Sequence, residues 1–414
     1  MADDERGRRI LSDLSLAFTR DPSIDEVGFI PCPEALQNRS PIILQEHKLG
    51  LESWCISLLY QYAYNELLQA REKTVRLVPS DLIGCTRAVL IINPECYTVW
   101  NMRKELVCSH KLDIAADLKF NGLIFTRQPK SPETFAHRKW LLVQLRQRLQ
   151  ETKDMIDAKD SARNHDENGR HVVGNHRGKE DVVISDSIVE NEFKVCTLAA
   201  EHYSNNYSAW SHRIWVLQNL AVCDGRTISS ELSKTVTLVS MHISDHSGFH
   251  YRQFLIQQIG KLNQRGLDSI LQQELLLISD LIDNYPGHES IWYHRRFVFH
   301  MWHHLQTPKQ TNGKYENSVH TPKQTGDDIK STRQAACLVF DITDNQEEDS
   351  FPTNPCEKKF RADESCKVQL GVQEMIASEI EFIEKCLKSV YPSDYPSQYR
   401  CAHAYKKWLQ FFYK

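Results

Sequence analysis

Asn206-Tyr207-Ser208-Ala209-Trp210-Ser211-His212-Arg213-Ile214-Trp215 is the stretch on which the fold turns. Trp210, Ile214 and Leu217 recur at i, i+4 and i+7, the spacing of one apolar helix face. Within it an aromatic anchor is followed three residues later by Arg, with His just before the Arg. The same signature reads Trp100-Asn101-Met102-Arg103, Phe135-Ala136-His137-Arg138, Phe249-His250-Tyr251-Arg252 and Trp292-Tyr293-His294-Arg295. A worn sixth copy, Tyr405-Lys406-Lys407-Trp408, carries Lys in the Arg place. A bulky residue follows two positions after the Arg at Trp140, Trp215, Phe254 and Phe297, and after Lys406 at Trp408; the first copy has Glu105 there instead.

The anchors at 100, 135, 210, 249 and 292 lie 35, 75, 39 and 43 residues apart. A unit of roughly 35–45 residues is the length of a helical hairpin repeat, and the longest gap is one unit plus an insertion. Apolar residues at helical spacing also precede the anchors, as in Leu271, Leu275, Ile278 and Ile282, and in Met375, Ile376, Ile380, Ile383 and Leu387. Turn signals separate the two helices of each unit: Asn93-Pro94, Gln128-Pro129, Ser204-Asn205-Asn206, Asp245-His246-Ser247-Gly248, Tyr285-Pro286-Gly287 and Tyr391-Pro392-Ser393. Pro and Gly end the first helix, and Asn, Ser or Asp caps the second. One hairpin cannot bury its own apolar face, so neighbours must stack. The expected fold is all-α, a solenoid of about six helical hairpins over residues 85–414, behind an N-terminal helical segment at 1–84. Two polar stretches, 152–183 and 306–368, read as disordered surface insertions. The second carries Thr307-Pro308-Lys309-Gln310-Thr311 and its copy Thr321-Pro322-Lys323-Gln324-Thr325, and an apolar piece from Ala335 to Phe340.

Composition narrows the function classes. The chain has 414 residues, 41% hydrophobic and 25% charged, with a net charge of -4. Near-neutrality gives no general reason to expect nucleic acid or an anionic membrane as partner. No run reaches the ~18 apolar residues of a membrane span. No secretory signal core follows Met1-Ala2-Asp3-Asp4-Glu5, so a cytoplasmic protein with reduced thiols is expected of its twelve cysteines. No CxxC pair, His-Glu-x-x-His run, P-loop, Gly-rich dinucleotide turn or nucleophile elbow occurs, so neither a metal site nor a complete catalytic apparatus is legible. The recurring arginines have a structural reading. At one helical position in five units they form a ladder, each guanidinium bonding carbonyls or carboxylates of the neighbouring repeat.

The pattern Pro-x-x-Tyr-x-x-Trp-x-x-Arg, carried by Asn93-Pro94-Glu95-Cys96-Tyr97-Thr98-Val99-Trp100-Asn101-Met102-Arg103 and more closely by Asn206 to Trp215, resembles the repeat of the protein prenyltransferase α-subunit family. The resemblance covers about 85–410 apart from the insertions. A narrower branch of that family is matched by Gly28-Phe29-Ile30-Pro31-Cys32-Pro33-Glu34, by Leu49-Gly50-Leu51-Glu52-Ser53-Trp54-Cys55 and by His242 to Phe254. The resemblance implies a right-handed, crescent-shaped superhelix wrapping a β subunit, which holds the zinc, the isoprenoid cavity and most diphosphate contacts. It implies pairing with the Rab geranylgeranyltransferase β subunit, geranylgeranyl diphosphate as donor, and acceptor cysteines near the C-termini of proteins such as a farnesylated SNARE and an F-box protein.

The family places a Lys in a Pro-Lys-Asn-Tyr turn of the second repeat and a Tyr-His pair in the third. The matching turn here is Pro129-Lys130-Ser131-Pro132, which retains the cation at Lys130 and replaces the Tyr with Pro132. In the third repeat Tyr207 is retained and Ser208 replaces the His. Lys130 and Tyr207 are therefore the catalytic candidates of this chain, with Ser208, His212 and Arg213 as candidate substrate-binding residues and no metal ligand. The competing reading is a non-catalytic helical-repeat scaffold that binds proteins along its surface and has lost the chemistry with the Tyr and His. An RNA-reading repeat fits poorly, because the recurring residues are structural in type instead of varying as a code.

Overall fold

The computed structural model describes residues 2–34, 40–164, 185–222, 224–262, 266–306, 357–389 and 395–413. Helix α1 (Ala2–Arg20) opens the chain, followed by strands β1 (Glu26–Ile30), β2 (Ile42–Gln45) and β3 (Lys48–Glu52), a short 3-10 turn and α2 (Ile56–Arg71). Six helical hairpins follow: α3 (Pro79–Ile92) with α4 (Tyr97–Cys108), α5 (Ile114–Arg127) with α6 (Pro132–Asn164), and α7 (Asp186–His202) with α8 (Tyr207–Asn219). The remaining three are α9 (Gly225–Met241) with α10 (His246–Leu262), α11 (Leu267–Asn284) with α12 (Glu289–Gln306), and α13 (Glu357–Ser389) with α14 (Pro396–Phe412). The second helices stack on one another in succession, α4 on α6, then α8, α10, α12 and α14. The chain is thus an all-α hairpin solenoid, as the repeat spacing implies.

Local chemistry sets the helix boundaries. Asp113, Asn206 and Asp224 cap α5, α8 and α9, each accepting from a backbone N–H three residues on. Pro129 and Pro286 stand in turns of four residues, 128–131 and 285–288, and Gly287 takes the positive φ of 97° that L side chains rarely adopt. The aromatic anchors fill the core: Trp100, Phe135, Trp210, Phe249 and Trp292 are all buried. The indole N–H groups of Trp100, Trp210 and Trp292 donate to Pro94 O, Asp245 Oδ2 and Gln398 Oε1, so each anchor also fastens a turn or the next hairpin.

The boundaries expected for the N-terminal segment and the insertions need correction. Residues 1–84 are not wholly helical, and position 84 falls inside α3. The sheet has order β1-β3-β2, with β1 parallel and β2 antiparallel to β3. Glu46 and His47, at φ 47° and 65°, make the two-residue turn between β2 and β3. Neither residue is a usual choice there, which is why the hairpin is hard to read from sequence. A Cβ at Gly50 would stand 2.4 Å from Ile30 Cδ1, so a side chain there would require the partly exposed end of Ile30 to move aside. The sheet and α1, α2 bury Val27, Leu49, Leu51 and Leu59 in one cluster with α3, α4 and α5. They close the open end of the first hairpin, as a solenoid's terminal unit must. Helix α6 runs through 152–164 and α13 already covers 357–368. The rest of both insertions, including Ala335 to Phe340, lies outside the described residues, as does the turn signal Tyr391-Pro392-Ser393.

Down the interior runs a ladder of buried ions. Arg103, Arg138, Arg213, Arg252 and Arg295, on the second helix of one hairpin, reach Asp117, Glu192, Glu231, Glu274 and Glu379 on the first helix of the next. Each carboxylate also accepts from its own hairpin, from His137, His212, Tyr251, His294 and Tyr405 respectively. A further guanidinium N–H meets Thr86, Asn121, Thr197, Thr235 or Ser279. Burial alone would raise the carboxyls of Glu192 and Glu274, but their Arg and His partners outweigh it and hold both at about 2. Burial pushes His137, His212 and His294 down, against the pull of their carboxylates. Their Nδ1 atoms are buried without a hydrogen-bond partner, so Nε2 carries the proton and the rings are neutral donors. Tyr251 and Tyr405 take the same place because only an uncharged donor is needed there.

Candidate functional site

The turns between paired helices line one edge of the stack, and polar side chains bind each turn to the next. Asn206, fully buried, donates through Nδ2 to Pro129 O at 2.7 Å and to Ala199 O at 3.0 Å, while its Oδ1 caps Ala209 N. One side chain thus caps α8 and clamps the 128–131 turn. The His246 N–H donates in turn to Asn205 Oδ1 at 2.9 Å, and Ser290 Oγ donates to Ile243 O. The row of turns is therefore held in register by contacts that span a whole repeat.

Between the 128–131 and 203–206 turns lies an open cleft of about 580 Å³. Lys130, Tyr203, Tyr207, Ser208, Arg127 and Glu95 contribute to its lining. Lys130 is exposed and forms no ion pair among the described residues. Its Nζ donates to Tyr203 Oη at a long 3.4 Å and sits 4.6 Å from the centre of that ring. Tyr207 is 72% exposed. Ser208, half-buried, follows it on the first turn of α8. Arg127 is a fixed part of the wall: it donates to Ile91 O and Ile92 O and stacks on Phe29. Such a cleft offers an exposed cation and phenol groups at the surface, which suits an anionic ligand shared with a partner protein.

Lys130 and the adjacent pair Tyr207-Ser208, far from it in sequence, are brought together here. His212 and Arg213 are not, and their expected role in binding substrate is corrected. Both are buried, His212 Nε2 against Glu192 at 3.0 Å and Arg213 Nη2 against Glu231 at 2.7 Å. With four of its five N–H donors matched to carboxylate, carbonyl and hydroxyl and the whole group buried in the core, this guanidinium is closed to a ligand. Tyr203 belongs to the site and carried no motif of its own, and Asn206, read from sequence as a turn residue, also clamps the neighbouring turn. The ladder's carboxylates also escaped sequence reading, although a signal exists: four of them stand 20 residues before the His or Tyr they hold. Among the described residues no group of three His, Cys, Asp or Glu side chains is placed to hold a metal ion. No helix among them is long and apolar enough to cross a membrane.

Comparison with known proteins agrees with this architecture. The protein prenyltransferase alpha subunit repeat matches residues 189–220, 228–259 and 271–302, which fall on the third, fourth and fifth hairpins. Protein prenyltransferase alpha subunit repeat-containing protein 1 of Homo sapiens is 40% identical over 344 residues, 75% of this chain and 81% of that protein. Its namesake in Danio rerio is 36% identical over 438 residues, 97% of this chain and 96% of its own length. Geranylgeranyl transferase type-2 subunit alpha of Mus musculus is more distant, 24% identical over 254 residues, 58% of this chain and 37% of that protein. With the hairpin stack, the Arg ladder and relatives matched over most of its length, the chain belongs to the protein prenyltransferase alpha subunit repeat family.

Proposed function

We propose that this chain is the α subunit of a heterodimeric protein geranylgeranyltransferase, inactive alone and working in the cytosol with a Rab geranylgeranyltransferase β subunit. The observation that carries this reading is Lys130: an exposed cation without an ion-pair partner among the described residues, standing on a clamped turn in an open cleft. The distant likeness to a geranylgeranyl transferase subunit supports the same direction. In the reaction, the sulfur of a protein cysteine forms a bond to C1 of the isoprenoid as the C1–O bond breaks. The oxygen keeps that electron pair, so negative charge grows on the departing diphosphate. Lys130 meets that charge, and a fixed cation aimed at growing charge stabilises the transition state more than the ground state. Tyr207 stands beside it as a neutral donor. Zinc bound in the partner would supply the thiolate by lowering the cysteine pKa.

The test is co-expression with that β subunit, purification through a tag on this chain, and an assay of geranylgeranyl transfer to a cysteine-bearing protein. A stoichiometric, active complex is expected, with Lys130→Ala slowing transfer by about 10²–10³ without loss of assembly. Undiminished turnover by the assembled variant would remove Lys130 from the chemistry. The scaffold reading draws its support from Pro132 and Ser208, which take the places of the family's Tyr and His. A folded chain that captures no β subunit would put it first.

A further inference from the structure

We propose that Tyr203 is a further donor, beside Tyr207, of the anion site at Lys130 and the residue that positions the lysine for the departing diphosphate; this rests on the transferase reading above. Lysine carries donors only, so in their contact Lys130 Nζ donates and Tyr203 Oη accepts, at 3.4 Å. The hydroxyl proton of Tyr203 is not used by that contact. The side chain is 45% exposed and lines the same cleft, so its O–H is available to an anion lying there. Accepting from a cation also polarises the phenol and makes it a better donor. Below the lysine, the ring face holds the ammonium 4.6 Å from its centre and limits where a flexible side chain points.

The 128–131 turn carries no phenol; beside Lys130 it brings the Gln128 and Ser131 side chains to the cleft. Ser131 is buried, and its hydroxyl accepts from Thr134 N and Thr134 Oγ1. Pro132 has no polar side chain. The neighbouring turn supplies the phenol instead, where the chain leaves α7 at Tyr203 in an extended conformation, φ -145° and ψ 112°. Asn206 joins the two turns through Pro129 O at 2.7 Å. Phenol and ammonium are thereby held as one unit across two hairpins, two positions whose meeting depends on the stack.

The experiment uses the heterodimer with the Rab geranylgeranyltransferase β subunit. Tyr203→Phe keeps the ring and removes the hydroxyl, and Tyr203→Leu removes both. Three quantities are measured: kcat, KM for the protein acceptor, and the inhibition constant of inorganic diphosphate. Tyr203→Phe should lower kcat and weaken diphosphate inhibition, each by about tenfold, with acceptor KM unchanged. Tyr203→Leu should lower kcat further, and that extra loss should vanish in a Lys130→Ala background, as positioning through the lysine requires. Wild-type kcat and diphosphate inhibition in Tyr203→Phe and Tyr203→Leu, alongside an impaired Lys130→Ala, would overturn this inference and leave the transferase reading standing. No transfer by the wild-type heterodimer would overturn both.

Discussion

Replacing Glu192 with Ala is the sharpest probe of the ladder. Glu192 accepts from Arg138 Nε at 2.7 Å and Nη2 at 2.6 Å, and from His212 Nε2 at 3.0 Å. Its loss leaves Arg138, 2% exposed, with bonds only from Nη1, to Leu118 O and Asn121 Oδ1. Two charged N–H donors and one neutral donor are then stranded in the core. Removing one partner of a buried ion pair typically costs about 3–5 kcal/mol, because the remaining charge is uncompensated. That is a large part of the ~5–15 kcal/mol by which domains are stable. The exposed pair Lys385–Asp283, 65% and 47% open, is the control; Lys385→Ala should cost about 1 kcal/mol or less. The assay is urea unfolding followed by far-UV circular dichroism and tryptophan fluorescence, whose coincidence tests for cooperative unfolding. The double variant Arg138→Met/Glu192→Leu should recover most of the loss, since apolar replacement of a whole buried pair is often neutral. A Glu192→Ala chain within about 1 kcal/mol of wild type would refute the claim that these charges depend on each other.

Further outcomes follow from the same geometry. Tyr251→Phe removes one hydroxyl bond while Glu231 keeps both of its bonds from Arg213; a loss of about 0.5–1.5 kcal/mol is expected by the same unfolding assay, and a loss as large as that of Glu192→Ala would contradict this ranking. Acid should destabilise the fold in two stages. The ladder histidines lie below their ordinary 6.5 and Glu192 and Glu274 below their ordinary 4.5. Both kinds are depressed on folding, so the unfolded chain binds more protons and stability is lost as the pH is lowered. The decline should begin near pH 6.5 and continue from 4.5 toward about 2. A urea midpoint unchanged from about pH 7.5 down to about pH 4 would show that these groups are not depressed on folding.

The sequence by itself determined the helices, their pairing into hairpins and the repeat, because helical periodicity and turn chemistry act within a few residues. Trp210, Ile214 and Leu217 declare a helix face wherever they occur, and Pro129 or Gly287 ends a helix whatever packs on it. Family resemblance then pointed to Lys130, Tyr207 and Ser208, which the fold does gather. For His212 and Arg213 the sequence left two readings open, ladder member and substrate ligand, since an arginine beside a histidine reads alike as either. Glu231 and Glu192 settle the matter only once the next hairpin is stacked, and with 54 Asp and Glu in the chain nothing local singles them out. The terminal sheet was equally hidden, because the chain turns at Glu46-His47 and it gains its stability from packing on α5. Tyr203 lies 73 residues from Lys130, and Asn206 lies 77 from Pro129. Separations of that size are bridged by the rise from one hairpin to the next, a distance set by buried side chains across the interface, and so the tertiary structure alone decided what faces the cleft.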